Sequence, residues 1–189
     1  MTKNKTLITK IAIATSLIAV AVGWRLLNHN YNFAPNLEFI TVAAVMAAII
    51  LGARWAIIVP LLSMVVSDLF IGNSAIFMFT WGSFAIIGAG AILLKKLNDQ
   101  PGKQIAFSAG FAIASSFAFF VITNFGVWIQ GWYPATLAGL INCFTMAIPF
   151  YRTMIIGNLI IVPTAVAIYQ LVRVRQANKN LVVDTLISK

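Results

Sequence analysis

The chain has 189 residues, 61% of them hydrophobic and only 9% charged, and its mean hydropathy is +0.94. Soluble domains carry roughly 25% charged residues, so a water-soluble fold with a polar skin is excluded. The net charge of +9 rides on too apolar a chain to signal nucleic-acid binding.

Runs of about 20 apolar residues mark helices that cross a ~30 Å hydrocarbon core. Taken in order, such runs predict an all-α integral membrane protein with about six transmembrane helices, over residues 7–27, 37–53, 55–71, 77–94, 104–128 and 148–172. Pro60 punctuates the third. Pro163 lies in the last, where neighbouring helices can satisfy the freed carbonyl. The apolar segment 136–147 is too short to cross alone and reads as a surface or re-entrant helix. Residues 1–172 thus form one six-helix domain, and RVRQANKNLVVDTLISK, residues 173–189, is a basic cytoplasmic tail. The start of the chain also has the look of a signal peptide, with Ala19-Val20-Ala21 as a cleavage site. The favoured reading is an uncleaved first helix ending at an interfacial Trp24-Arg25.

Basic residues decide the orientation. Lys3, Lys5, Lys10, Arg54, Lys95, Lys96, Lys103, Arg173, Arg175, Lys179 and Lys189 fall on one side of the predicted membrane, and only Arg25 and Arg152 on the other. Lys and Arg in short loops stay cytoplasmic, so both termini are expected inside. The expected location is the inner, cytoplasmic membrane. On the outer side, Arg25 and Arg152 balance Glu38 and Asp68.

Those four charges are the first candidates for chemistry. Charges inside a bundle are costly, and they either pair or line a wet cavity. Aromatic and amide groups gather on the same outer side. Trp128 follows Asn124 by one helical turn on the same face, and Trp81 lies beside Gly82 and Ser83, where another backbone has room to approach. Tyr133 and Asn32 sit in outer loops. Asn124, Trp128, Trp81, Asp68, Arg152, Tyr133 and Asn32 are therefore the candidate ligand-binding set. Each has a plainer reading: interfacial belt for the aromatics, interhelical hydrogen bonds for Asn124, Asn142 and Asn158, and a helix cap for Asn36. In the first span, Thr15, Ala19 and Gly23 recur every four residues with Ala12 and Ser16 alongside. Small residues at that spacing allow close helix packing in lipid, either within the bundle or against a partner.

Other classes have no support. One cysteine, Cys143, and one histidine, His29, exclude an intrachain disulfide and His-pair or Cys-rich metal motifs. No nucleophile elbow, paired-carboxylate pattern or Walker loop occurs. No cofactor is expected, and an enzyme is the least favoured reading. Without a Walker loop, the chain must borrow any ATP-driven motor.

FAPNLEF, GARWAIIVPLLSMVVSDLFIG and VITNFGVW…YPATLAGL…CFTMAIPFYRTMIIGNL, within about residues 28–162, resemble an uncharacterised bacterial membrane family described as transport proteins. That family is similar to the substrate-capture subunits (S components) of energy-coupling factor (ECF) vitamin transporters. The resemblance implies a six-helix bundle with an outward pocket for a small metabolite or vitamin, working with an ECF-type transmembrane subunit and two ATPases. It also implies that Thr15, Ala19 and Gly23 dock on that subunit. The rival expectation is an accessory or assembly protein without a ligand. A polar cavity of roughly 300 Å³ or more in the outer half would favour capture.

Overall fold

A computed structural model describes residues 3–187, with side chains for 6–179. The side chains of Lys3, Lys5 and Lys189, placed above on the basic side, lie outside the described residues. The described chain is all helical: α1 Lys3–Tyr31, α2 Ile40–Ile50, α3 Ala53–Ile71, α4 Phe77–Lys95, α5 Pro101–Ile129 and α6 Leu137–Ile187.

Five of these, all but α2, contain a stretch long and apolar enough to cross a membrane. α2 has 11 residues, about 16 Å at 1.5 Å per residue. The expected span 37–53 therefore shrinks to a short central helix. Its physical reason is at its ends. Gly52, at φ 106°, stops it and turns directly into α3, while Asn32 and Asn36, at φ 50° and 62°, hold the preceding loop in a left-handed fold. What α2 lacks in length it recovers in burial, since nine of its residues, from Ile40 to Ile49, are buried. It packs against α1, α3, α4 and α6.

Close packing around α2 depends on small residues. A Cβ on Gly88 of α4 would stand 2.2 Å from the Ala56 carbonyl oxygen of α3. The close approach expected at Gly82 is found here instead, for nothing lies within 4 Å of a Cβ at Gly82. α5 packs most extensively on α6. Exposed apolar side chains such as Phe117 and Phe125 on α5 and Ile156 and Ile160 on α6 form the surface left for lipid.

α6 corrects another expectation. The segment 136–147 is not a separate surface helix; it is the start of a 51-residue helix running through Pro149 and Pro163. Its first turns rest on the end of α5, where Cys143 Sγ donates to the Asn124 carbonyl at 3.4 Å. The helix also passes residue 172 without a break and continues to Ile187.

The bundle has two unlike ends. At one, Gly52 lies against the Lys95 side chain, and a polar network locks the α4–α5 turn to α6. Gln104 donates to the Leu94 carbonyl at 2.7 Å, Gln170 donates to the Asn98 carbonyl at 2.9 Å, and Arg173 reaches the Asn98 carbonyl and the Asp99 carboxylate. This is the basic end. At the other, Trp24 Nε1 donates to the Leu37 carbonyl at 2.8 Å and Arg25 meets Asp68. α1 therefore starts, and α6 finishes, toward the basic end. α1 runs unbroken through Ala19-Val20-Ala21, with Ala14 and Ala21 in the core.

Candidate functional site

The hollow of the molecule follows from the short central helix. Because α2 begins only at Ile40, longer neighbours rise around an unfilled space above its N-terminus. A cavity of about 350 Å³ lies there, at the end opposite the basic one. Its floor and walls are Ile40, Met64, Ile71, Phe84, Phe119 and Met154. Its polar edge is Arg25, Asn28, His29, Asn32, Asn36, Glu38 and Thr80. A second hollow of about 210 Å³ adjoins it, sharing Asn36, Thr80, Phe119 and Met154, and reaches Thr123, Asn124 and Tyr151.

The loop from α1 to α2 closes the rim because its own backbone is tied down. Asn28 accepts from the Ala34 N–H at 3.0 Å and donates to the Ala34 carbonyl at 2.8 Å. Trp24 stacks near Phe33 and Phe39, with ring centroids 6.4 and 4.9 Å away. Glu38 then presents a carboxylate at the start of α2. Its Oε2 accepts from the Thr41 N–H at 2.8 Å, so Glu38, one residue ahead of the N-cap Phe39, and not Asn36, satisfies this first-turn amide. Its Oε1 accepts from Asn158 Nδ2 at 2.8 Å, and the same amide reaches Ser116 Oγ at 3.2 Å. Asn158 thus bonds across helices.

Arg25, from α1, lines the same cavity. Its guanidinium contacts Ser67 Oγ and Asp68 Oδ1, while Trp81 Nε1 donates to Asp68 Oδ2 at 2.8 Å. Asp68 is therefore spent within the bundle, with one oxygen on Arg25 and the other on Trp81, and neither Asp68 nor Trp81 lines the cavity. Both act on the site through Arg25.

The seven candidate ligand-binding residues divide as follows. Asn32 lines the main cavity and Asn124 the adjoining one. Asn124 donates its amide to the Phe120 carbonyl at 2.7 Å, one turn back. Trp128 is turned to structure: its Nε1 donates to the Pro134 carbonyl at 3.0 Å and pins the α5–α6 turn that carries Tyr133. Neither Trp128 nor Tyr133 lines either hollow. Arg152 is exposed in an outside groove with Leu37, Pro149 and Ile156. It forms no ion pair among the described residues, so the balance of four charges dissolves into one pair, Arg25–Asp68, and two separate groups. Sequence reading flagged Arg25 and Glu38, but had no signal for Phe84, Phe119, Met64 and Met154, apolar residues in apolar helices.

The face of α1 with Thr15 and Ala19 is exposed, and a Cβ at Gly23 would meet nothing within 4 Å. These small residues do not pack inside the bundle. Among the described residues no group of three or more His, Cys, Asp or Glu side chains comes together to hold a metal.

Fold and composition define an all-α membrane bundle with a polar-edged hollow at one end. The chain belongs to the Family of unknown function (DUF6580), whose pattern matches residues 5–181. No curated protein and no solved structure matches it.

Proposed function

We infer that this protein is a membrane-embedded substrate-binding subunit that captures a small water-soluble metabolite or vitamin from outside the cell, in the manner of an ECF S component, and is energised by separate ATPase partners. The observation that carries this reading is the cavity of about 350 Å³ over α2. It falls within the range of ligand sites, ~300–1,000 Å³, and combines an apolar lining with a few convergent polar groups as such sites do. The opposite end carries Arg54, Lys95, Lys96, Lys103 and Arg173, which face the cytoplasm by the positive-inside rule. The cavity then opens outward, at an inner membrane.

The exposed Thr15–Ala19–Gly23 face also fits a transmembrane partner. A second reading, an accessory protein that docks other subunits and holds no solute, draws on that same face and on Trp128 and Trp81 being satisfied internally.

One preparation tests both. The protein is purified in native lipid, and its retained solutes and polypeptides are identified by mass spectrometry. Capture predicts a water-soluble organic compound that is released on denaturation and is missing from Thr80→Trp, which fills the space between the two hollows, together with a membrane subunit and ATPases that are lost from Ala19→Trp. Recovery of partners with no solute, and no difference in Thr80→Trp, would establish the accessory reading instead.

A further inference from the structure

The cavity is not neutral. His29 apart, its ionisable lining groups are Arg25 and Glu38. Arg25 is already matched by Asp68. Glu38 has no cationic partner among the described residues, and Arg152, the other cation at this end, faces the outside groove. The site therefore keeps one uncompensated carboxylate. A carboxylate so placed is costly to desolvate, and three features offset part of the cost: the Thr41 N–H, the Asn158 amide, and the positive end of the α2 dipole.

Each Glu38 oxygen accepts one of those N–H groups, whereas an ionised carboxylate offers about four acceptor sites. Acceptor capacity is left for a ligand. The walls facing this edge are Phe84, Phe119 and two methionine thioethers, Met64 and Met154. Aromatic faces attract cations.

We propose that this cavity selects a small amphipathic organic cation, with its N–H-bearing charged group on the Glu38 carboxylate and its ring or chain against the contacting Phe84–Phe119 pair. The proposal rests on the solute-binding reading above and narrows it. An anion would meet the unmatched carboxylate, and a neutral isostere would leave it unpaired.

Three probes sharing one ring and differing in charge test the selection: phenethylamine, phenethyl alcohol and phenylacetate, titrated calorimetrically into the full chain in nanodiscs at neutral pH. The amine is expected to bind at least about ten-fold more tightly than the other two, a difference of ~1.4 kcal/mol. Glu38→Gln is expected to remove that advantage, bringing the amine to within about three-fold of the alcohol. Glutamine keeps an acceptor for the Thr41 N–H, and a turned Asn158 amide offers its oxygen to the new N–H₂, so the variant keeps its bonds to Thr41 and Asn158 and gives up only the Asn158–Ser116 bond. The wild-type ranking needs no variant at all. Equal or tighter binding of the alcohol or the phenylacetate overturns the charge selection, as does an amine advantage that survives in Glu38→Gln, and both leave the capture reading standing. Binding of none of the three also overturns it, while capture itself is decided by the retained-solute measurement.

Discussion

Asp68 illustrates how much one side chain settles at this site. It is buried, takes Arg25 on one oxygen and Trp81 on the other, and so holds the guanidinium at the cavity wall. Removing one partner of a buried pair leaves the other uncompensated and costs about 3–5 kcal/mol; Arg25 keeps some solvent access, so about 2–3 kcal/mol is expected for Asp68→Asn. Arg152→Gln, at an exposed site without an ion pair, should change stability by less than about 0.5 kcal/mol. Thermal unfolding in detergent, followed by tryptophan fluorescence, checks the contrast, and equal effects would refute the assignment of Asp68 as the internal partner. In the sequence both arginines stood equally well opposite both acids. Only distance separates a pair from a neighbour, and distances between α1 and α3 are set by packing, not by spacing along the chain.

At the scale of the element, the short α2 is the device that makes a hollow. Its apolar composition looks like that of its neighbours, which is why a full span was expected over 37–53. The stop at Gly52 and the left-handed Asn36 withdraw several residues from each end. Around it the helices must approach closely, and Gly88 is a point of close approach between α4 and α3. Gly88→Ala would press a methyl group into the Ala56 carbonyl, which is backbone and cannot yield. A loss of about 1–3 kcal/mol follows for such overpacking. Gly82→Ala, with open space around it, gains helix propensity and should be neutral or slightly stabilising. Paired thermal melts distinguish them, and equal melting temperatures would mean that α3 and α4 do not touch there. The long α6 was missed for a related reason. Polar Asn142 and Pro149 look like interruptions in a hydropathy reading, yet a helix lying along α5 carries both without breaking.

For the molecule as a whole, a basic end stands apart from a hollow end, and the uptake reading depends on which side of the membrane each one faces. Eleven of the thirteen basic residues fall on one side of the predicted membrane, so His29, at the cavity rim, should face outward and Lys96 inward. In a Cys143→Ser background, a membrane-impermeant thiol reagent on intact cells is expected to label His29→Cys and to reach Lys96→Cys only after permeabilisation. The reverse pattern would place the cavity on the cytoplasmic side and end the uptake reading.

The sequence by itself determined the environment, the helical class and the segregation of charge, because these are properties of composition and of order along the chain. Apolar runs without enough polar surface have only lipid to face, and basic residues between runs can be counted without coordinates. Tertiary structure decided which polar groups are free. It spent Asp68, Trp81 and Trp128 on internal bonds, sent Arg152 to an outside groove, and gathered Glu38, Arg25 and Asn32 with unremarked phenylalanines and methionines around one space. The reason is that a cavity is a property of what fails to fill a volume, and that depends on helix lengths and closest approaches no single segment encodes.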